Sequence, residues 1–408
     1  MPTDADEPNS ESAPLLIKRA VQLPRMLRWA PLLVTIGAMA ALAGSSCGRS
    51  IFPKASSSAS PTSTSTPGNG NYVYLTNFND GKVSGFSRNL TTGALTLIGT
   101  TSAGSAKGPY GLVAGNSGKY LYVANASGNN SVFQYSIDAK TGKLTTIGSG
   151  SIAAGASPRQ IAIDHNDAFA YVTNFGSGSF TYYAINSSTG ALGSAASQPG
   201  FSIPFGVTST AVNAVEFLYV ADEGANQVLS FQLNSGVPSA VGAPVAIADA
   251  AQMATDSSGA YVFVVSPSTG VLYQLSTSGG ALALVSFATT GAVSNNPTGV
   301  AVANPSGGEF IYTANQAANS VSVFTLNSVT HVLQLVNSTT ANLSVPTGVA
   351  VDPSGAFLYV TNNGNGTVAQ FSINATTGAL TPLSPGTVAT ESGSGHGASG
   401  PANIVVAD

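Results

Sequence analysis

The chain is predicted to fold as an all-β protein, a seven-bladed β-propeller with four strands to a blade. Three observations lead there. A short strand ending in Asn, or in a stand-in for it, recurs seven times: YLTN at Asn77, YVAN at Asn125, YVTN at Asn174, YVAD at Asp222, FVVS at Ser266, YTAN at Asn315 and YVTN at Asn362. The steps between them are 48, 49, 48, 44, 49 and 47 residues, a period that suits one four-stranded blade. The composition agrees, with 46 glycines and only 7% charged residues in 408, which fits a turn-rich β array better than a helical enzyme.

Residues 346–373, PTGVAVDPSGAFLYVTNNGNGTVAQFSI, justify each strand in turn. The innermost strand is Gly-Val-Ala-Val, found at 299–302 and 348–351 with relatives at 111–114, 161–164 and 206–209; its small side chains suit the narrow axis of a ring. A Pro-Ser-Gly turn leads into the second strand, and an Asn/Gly loop leads out of it. The third strand alternates, as in Val368-Ala369-Gln370-Phe371 and Val132-Phe133-Gln134-Tyr135, so successive side chains leave on opposite faces. A Thr-Gly-x-Leu turn at Thr92, Thr141, Thr189 and Thr377 opens the fourth strand; it degrades in blades 4, 5 and 6. Blade 1 has no innermost strand before Tyr72. The missing copy stands at residues 401–408, so the C-terminal strand is expected to complete the N-terminal blade and close the ring.

Ahead of the propeller, at residues 72–408, lie two further segments. Residues 1–47 read as a lipoprotein-type signal: the basic Lys18, Arg19, Arg25 and Arg28, the apolar run WAPLLVTIGAMAALAG at 29–44, then Ser45, Ser46 and Cys47, which would carry the lipid. Ordinary secretion and an uncleaved anchor are the other readings, although the apolar run is shorter than the roughly 20 residues of a full span. All three put the propeller outside the cytoplasm, in the periplasm or at the cell surface. Residues 48–71 are a tether rich in Ser, Thr, Pro and Gly. With one Cys in the chain there is no intrachain disulfide.

The repeated Tyr-Val-Thr-Asn, with Gly-Val-Ala-Val-Asp-Pro-Ser-Gly, resembles the YVTN-type propellers and, more broadly, the seven-bladed lactonase family that includes bacterial 6-phosphogluconolactonases. The resemblance covers residues 72–408 and implies a lactone hydrolase as one possible activity. That branch places His and Arg just before its innermost strands. Here those places read Pro109-Tyr110, Pro158-Arg159, Pro204-Phe205, Pro297-Thr298, Pro346-Thr347 and Pro401-Ala402, so Arg159 alone retains the pattern.

Strand alternation sorts the loops onto two faces. The loops after each motif Asn share one face with the loops leading into the innermost strands; the Pro-Ser-Gly and Thr-Gly-x-Leu turns share the other. The repeated Asn residues are expected to hold their own loops, since a residue present in nearly every blade serves the blade. Unrepeated residues make better site candidates. Arg159, Glu223 and His396 are the catalytic candidates, with Glu223 or His396 as the base that activates water and Arg159 as the group holding the developing oxyanion. Tyr110, Phe205 and Asp222 are the ligand-binding candidates. The alternative is a solvated polar rim in which Arg159 pairs with a carboxylate. His165 and His331 read as turn residues.

Charge narrows the function. Residues 72–408 hold seven basic and thirteen acidic side chains, and no Lys or Arg follows Arg159 in the last 249 residues. Nucleic acid needs a basic footprint and a phosphorylated sugar needs cationic clamps, so neither is expected as a ligand. Scattered histidines and a lone Cys give no metal site, and no cofactor is expected. The resulting expectation is a monomeric, lipid-anchored binding or scaffold module for an uncharged polysaccharide or a cell-envelope protein, with lactone hydrolysis as the alternative.

Overall fold

The computed structural model describes residues 72–407, apart from 105–107, 127–129, 292–294, 307, 328 and 392–399. The strands form seven antiparallel sheets, six of four strands and one of five. The fifth strand, Val245–Ala246, is an addition to blade 4, where it pairs with Gln227–Asn234. Innermost strands touch in sequence around the axis, from Pro401–Ala407 through Pro109–Ala114 and onward to Pro346–Val351, which returns to Pro401–Ala407. The circuit closes as expected. Tyr72–Asn77 takes the C-terminal strand antiparallel, with Tyr72 opposite Ala407 and Val73 opposite Val406.

Both faces of every blade meet a neighbouring blade, so second strands such as Phe357–Asn362 are buried along their whole length rather than on alternate residues. The core is therefore divided into seven apolar clusters, one at each interface between blades. A buried Val, Leu or Phe stabilises by about 1.5–3 kcal/mol, so the interfaces supply most of the driving force.

The repeated motif residues tie blade to blade. The motif tyrosine of one blade donates its hydroxyl to the glycine carbonyl of the next blade's Thr-Gly-x-Leu turn: Tyr74 to Gly142 at 2.7 Å, Tyr122 to Gly190 at 2.7 Å and Tyr359 to Gly93 at 2.7 Å. The third-strand glutamines work on the same turn, Gln134 accepting from the Leu192 amide at 2.7 Å and Gln370 from the Leu95 amide at 2.6 Å. Blade 5 has Phe263 in place of the tyrosine, and there Gln274 donates to the His331 carbonyl at 2.9 Å. His331 itself takes the left-handed φ of 54° that Gly142 (67°) and Gly378 (68°) take in their turns. The degraded turn thus keeps its shape.

Candidate ligand site at the channel mouth

The site is built by a local irregularity that every full-length innermost strand shares. Each such strand begins with a proline opposite the motif Asn or Asp, as in Pro109–Asn125, Pro158–Asn174 and Pro204–Asp222, and the pairing slips immediately after it. A bulge of this kind re-aims one side chain. The residue so released is Tyr110, Arg159, Phe205, Thr298, Thr347 or Ala402 as the ring is followed. Thr76 donates to the Tyr110 carbonyl at 2.7 Å, and Thr173 to the Phe205 carbonyl at 2.6 Å, so the motif threonines hold these bulges. A second ring comes from the residue after the motif Asn. Its amide is bonded to the loop leading into the innermost strand: Phe175 to the Ser157 carbonyl at 3.0 Å, Glu223 to that of Ile203 at 3.0 Å and Gln316 to that of Asn296 at 3.0 Å. Both rings therefore lie on one face, as the loop sorting predicted.

The two rings divide the mouth into unlike halves. On blades 1 to 4 the side chains are aromatic, with Tyr110 edge-on to Phe78 (6.4 Å between centroids) and to Phe205 (5.8 Å). Arg159 is set among them, its guanidinium carbon 4.8 Å from the Tyr110 centroid and 4.6 Å from that of Phe175. From blade 4 onward the wall turns polar. A cavity of about 440 Å³ opens there, lined by Tyr110 and Phe205 on one side and by Glu223, Asp249, Gln252 and Gln316 among the polar groups. That volume is within the range of roughly 300–1,000 Å³ typical of small-molecule pockets.

Glu223 is half-buried, and its carboxyl is pushed above the usual carboxylate range, first by desolvation and then by the Asp249 charge; Arg159 pulls it partly back. Asp249 is more firmly held, accepting from the Ser268 amide at 2.6 Å. Asn296 donates to Gln316 Oε1 at 3.0 Å, which sets that amide with its oxygen engaged. The mouth therefore presents one tied carboxylate, one perturbed carboxylate, amides and aromatic walls. Among the described residues no group of three or more His, Cys, Asp or Glu side chains is placed to hold a metal ion.

Glu223, Tyr110 and Phe205 come together around the cavity, and Arg159 packs behind them against the aromatic rings. Two expectations need correction. Asp222 does not face the ligand space: it is 1% exposed and its carboxylate accepts from the Ser202 and Ile203 amides at 2.9 and 2.8 Å. It does for blade 4 what the Asn174 side-chain oxygen does for blade 3, where it accepts from Gly155 at 3.1 Å. Arg159 is paired with no carboxylate; the two ion pairs of the described residues are Lys82–Glu391 and Arg88–Asp352. His396 and Cys47 lie outside the described residues. His165 and His331 belong to turns on the opposite face. The repeated Asn residues are buried, and two of them bond to the following strand rather than to their own loops, Asn77 donating to Ser84 Oγ at 2.7 Å and Asn315 to Ser322 Oγ at 2.7 Å.

Asp249, Phe175 and Gln316 are site residues that the sequence did not single out. The signal for two of them was available, since each directly follows a motif Asn, the position that also yields Glu223. Asp249 has no such marker; only the fold brings its loop to the mouth.

The family described as "Lactonase, 7-bladed beta-propeller" matches residues 63–208 and 212–394. Among solved structures, a candidate 6-phosphogluconolactonase of Bacteroides uniformis superposes with a TM-score of 0.70 at 17% identity, over 82% of this chain and 98% of that one. A second candidate 6-phosphogluconolactonase, from Bacteroides fragilis, gives 0.70 at 17% identity over 85% and 99%. The periplasmic gluconolactonase of Pseudomonas aeruginosa gives 0.68 at 14% identity over 82% and 98%. At these identities the structural likeness speaks for the fold. No curated protein matches the chain.

Proposed function

Because the chain belongs to the seven-bladed lactonase family, we propose that its channel-mouth cavity binds an unphosphorylated sugar lactone and hydrolyses it, with Glu223 as the general base. The observation that carries this reading is the Glu223 carboxylate, raised by burial and by Asp249, on a cavity wall whose other polar groups, Asp249 apart, are uncharged. A carboxylate whose pKa is raised accepts a proton more readily than an ordinary one. Water next to Glu223 attacks the ring carbonyl as its proton passes to the carboxylate. The tetrahedral intermediate then collapses, the ring C–O bond breaks, and the departing alkoxide takes the proton back from Glu223. The product is the open hydroxy acid, released as its carboxylate. Amide donors such as Gln316, on the same wall, would meet the oxyanion. The gluconolactonase named for the Pseudomonas relative supports the substrate class. Phosphate is left out because Arg159 is the one basic residue at the described mouth.

The test is turnover of gluconolactone and of its 6-phosphate by the purified protein, beside Glu223→Gln. Loss of at least about a hundredfold in kcat, the scale of removing a general base, with an unchanged melting temperature is expected. The wild-type rate should fall on the acid side with an apparent pKa above the ordinary glutamate range. A Glu223→Gln variant as active as wild type would remove the proposal. A binding module without catalysis is the second reading, favoured by the aromatic half of the mouth. On that reading Tyr110→Ala and Phe205→Ala abolish sugar binding, and no lactone is turned over.

We also propose that lipid on Cys47 anchors the protein outside the cytoplasm, with residues 48–71 as a tether. The location stated for the Pseudomonas relative is compatible with it. A Cys47→Ser variant is expected to leave the membrane fraction and to lose the mass of the acyl chains. Retention of both would overturn the anchor.

A further inference from the structure

Arg159 differs from the other deeply placed arginine. Arg88 is buried and answered, its Nη1 2.9 Å from Asp352 Oδ2. Arg159 is half-buried and unanswered: no described group accepts from it, and its Nε is buried without a partner. Its position is nevertheless fixed, because the bulge after Pro158 releases the side chain towards the rings of Tyr110 and Phe175, at 4.8 and 4.6 Å, with Phe205 at 6.0 Å. A guanidinium packed against aromatic rings is fixed in place by them while its terminal N–H groups stay free to donate. Burying such a donor with no acceptor is costly. An arrangement that holds it ready and unpaired therefore points to an acceptor supplied from outside the chain.

Resting on the sugar-lactone reading of the cavity, we propose that Arg159 anchors a carboxylate carried by the ligand, so that the site takes an acidic sugar lactone, of the uronic or aldaric acid class. The planar pair of carboxylate oxygens matches the guanidinium fork two bonds at a time. One guanidinium answers one negative charge. A phosphate ester brings nearly two, and the mouth has no second described cation to meet them. Glu223 and Asp249 on the same cavity add repulsion against any second charge on the ligand. A neutral sugar, in turn, would leave Arg159 as unanswered as it is now. Arg159 lies outside the cavity's own lining, against the Tyr110 and Phe205 rings, so the ligand's carboxylate extends past these rings while its lactone carbonyl faces Glu223. Hydrolysis then yields a second carboxylate beside Glu223 and Asp249, and that repulsion favours product release.

The experiment is calorimetric titration of the purified protein with galacturonate, galactose and galactose 6-phosphate, repeated on Arg159→Gln and Arg159→Lys. Galacturonate is expected to bind about tenfold or more tightly than the other two, the scale of one charge-assisted pair. Arg159→Gln should remove that preference, so that galacturonate and galactose bind the variant alike. Arg159→Lys should recover only part of it, because an ammonium lacks the fork. Equal affinities for galacturonate and galactose, or a preference that survives Arg159→Gln in a variant with unchanged melting temperature, would overturn the anchor. The parent reading is scored separately by gluconolactone turnover: turnover without acid preference sinks the anchor alone, and acid preference without turnover sinks the lactonase alone. If none of the three sugars binds, the anchor falls, and gluconolactone turnover alone decides the lactonase.

Discussion

Glu309 shows how a single side chain can write itself into the stability of the whole protein. Burial and the nearby Asp256 raise its carboxyl from 4.5 to about 7, and its Oε1 is buried with no hydrogen-bond partner. No Lys or Arg follows Arg159 in sequence, so this half of the ring has no cation of its own to offset it. A carboxyl raised in the folded state binds more protons there than in the unfolded chain between 4.5 and about 7. Stability therefore declines as pH rises through that window. The melting temperature of the wild type should fall between pH 4.5 and 7, and Glu309→Gln should flatten the decline. A profile that Glu309→Gln leaves unchanged would show that other groups set it.

At the scale of the element, the Thr-Gly-x-Leu turn is the piece most dependent on its neighbours. In Gly142 a positive φ of 67° coincides with a close approach: a Cβ there would lie 2.3 Å from the Tyr72 ring of blade 1. Glycine is needed for both reasons at once. The carbonyl of the same residue accepts from Tyr74, so backbone shape and interblade bond stand or fall together. Gly142→Ala is expected to cost more than about 1 kcal/mol, read as a shift in urea midpoint. Tyr122→Phe leaves the Gly190 carbonyl unpaired in a buried interface and should cost about 1–3 kcal/mol. A Tyr122→Phe variant as stable as wild type would mean that the interface does not rely on the bond.

The whole molecule is closed into a ring by one strand pairing, that of Pro401–Ala407 with Tyr72–Asn77. Among the other links across the seam between blades 7 and 1 are the buried Arg88–Asp352 pair and the bond from Tyr359 to the Gly93 carbonyl. Neither replaces a strand, because an unpaired Tyr72–Asn77 edge would leave a row of buried backbone donors and acceptors unmet. Removing residues 401–408 should therefore abolish the single cooperative transition and promote association through the open edge. A truncated chain that melted like the full one would contradict strand closure as the basis of the fold. The ring also explains how the site is assembled. Glu223 comes from blade 4, Asp249 from the loop between blades 4 and 5 and Gln316 from blade 6, and no short peptide of this chain could bring them together.

Sequence alone determined the blade count, the order of strands, the closure by the C-terminal strand and the two faces. It could do so because each is encoded locally and then repeated: alternation gives a strand, Pro-Ser-Gly or Thr-Gly-x-Leu gives a turn, and the period gives the ring. It also singled out Tyr110, Arg159, Phe205 and Glu223 as departures from the repeat, and the structure sets all four at the mouth. What the tertiary structure decided is which departures face the ligand space. Asp222 and Glu223 are adjacent in sequence and both acidic, yet one turns inward to hold the Ser202 and Ile203 amides and the other lines the cavity. Strand alternation ends at that loop, so no pattern separates them. Asp249, Phe175 and the placing of Arg159 against the aromatic rings were equally hidden, because their meeting depends on how seven separately encoded blades converge on one axis, and that convergence is a property of distance in space rather than along the chain.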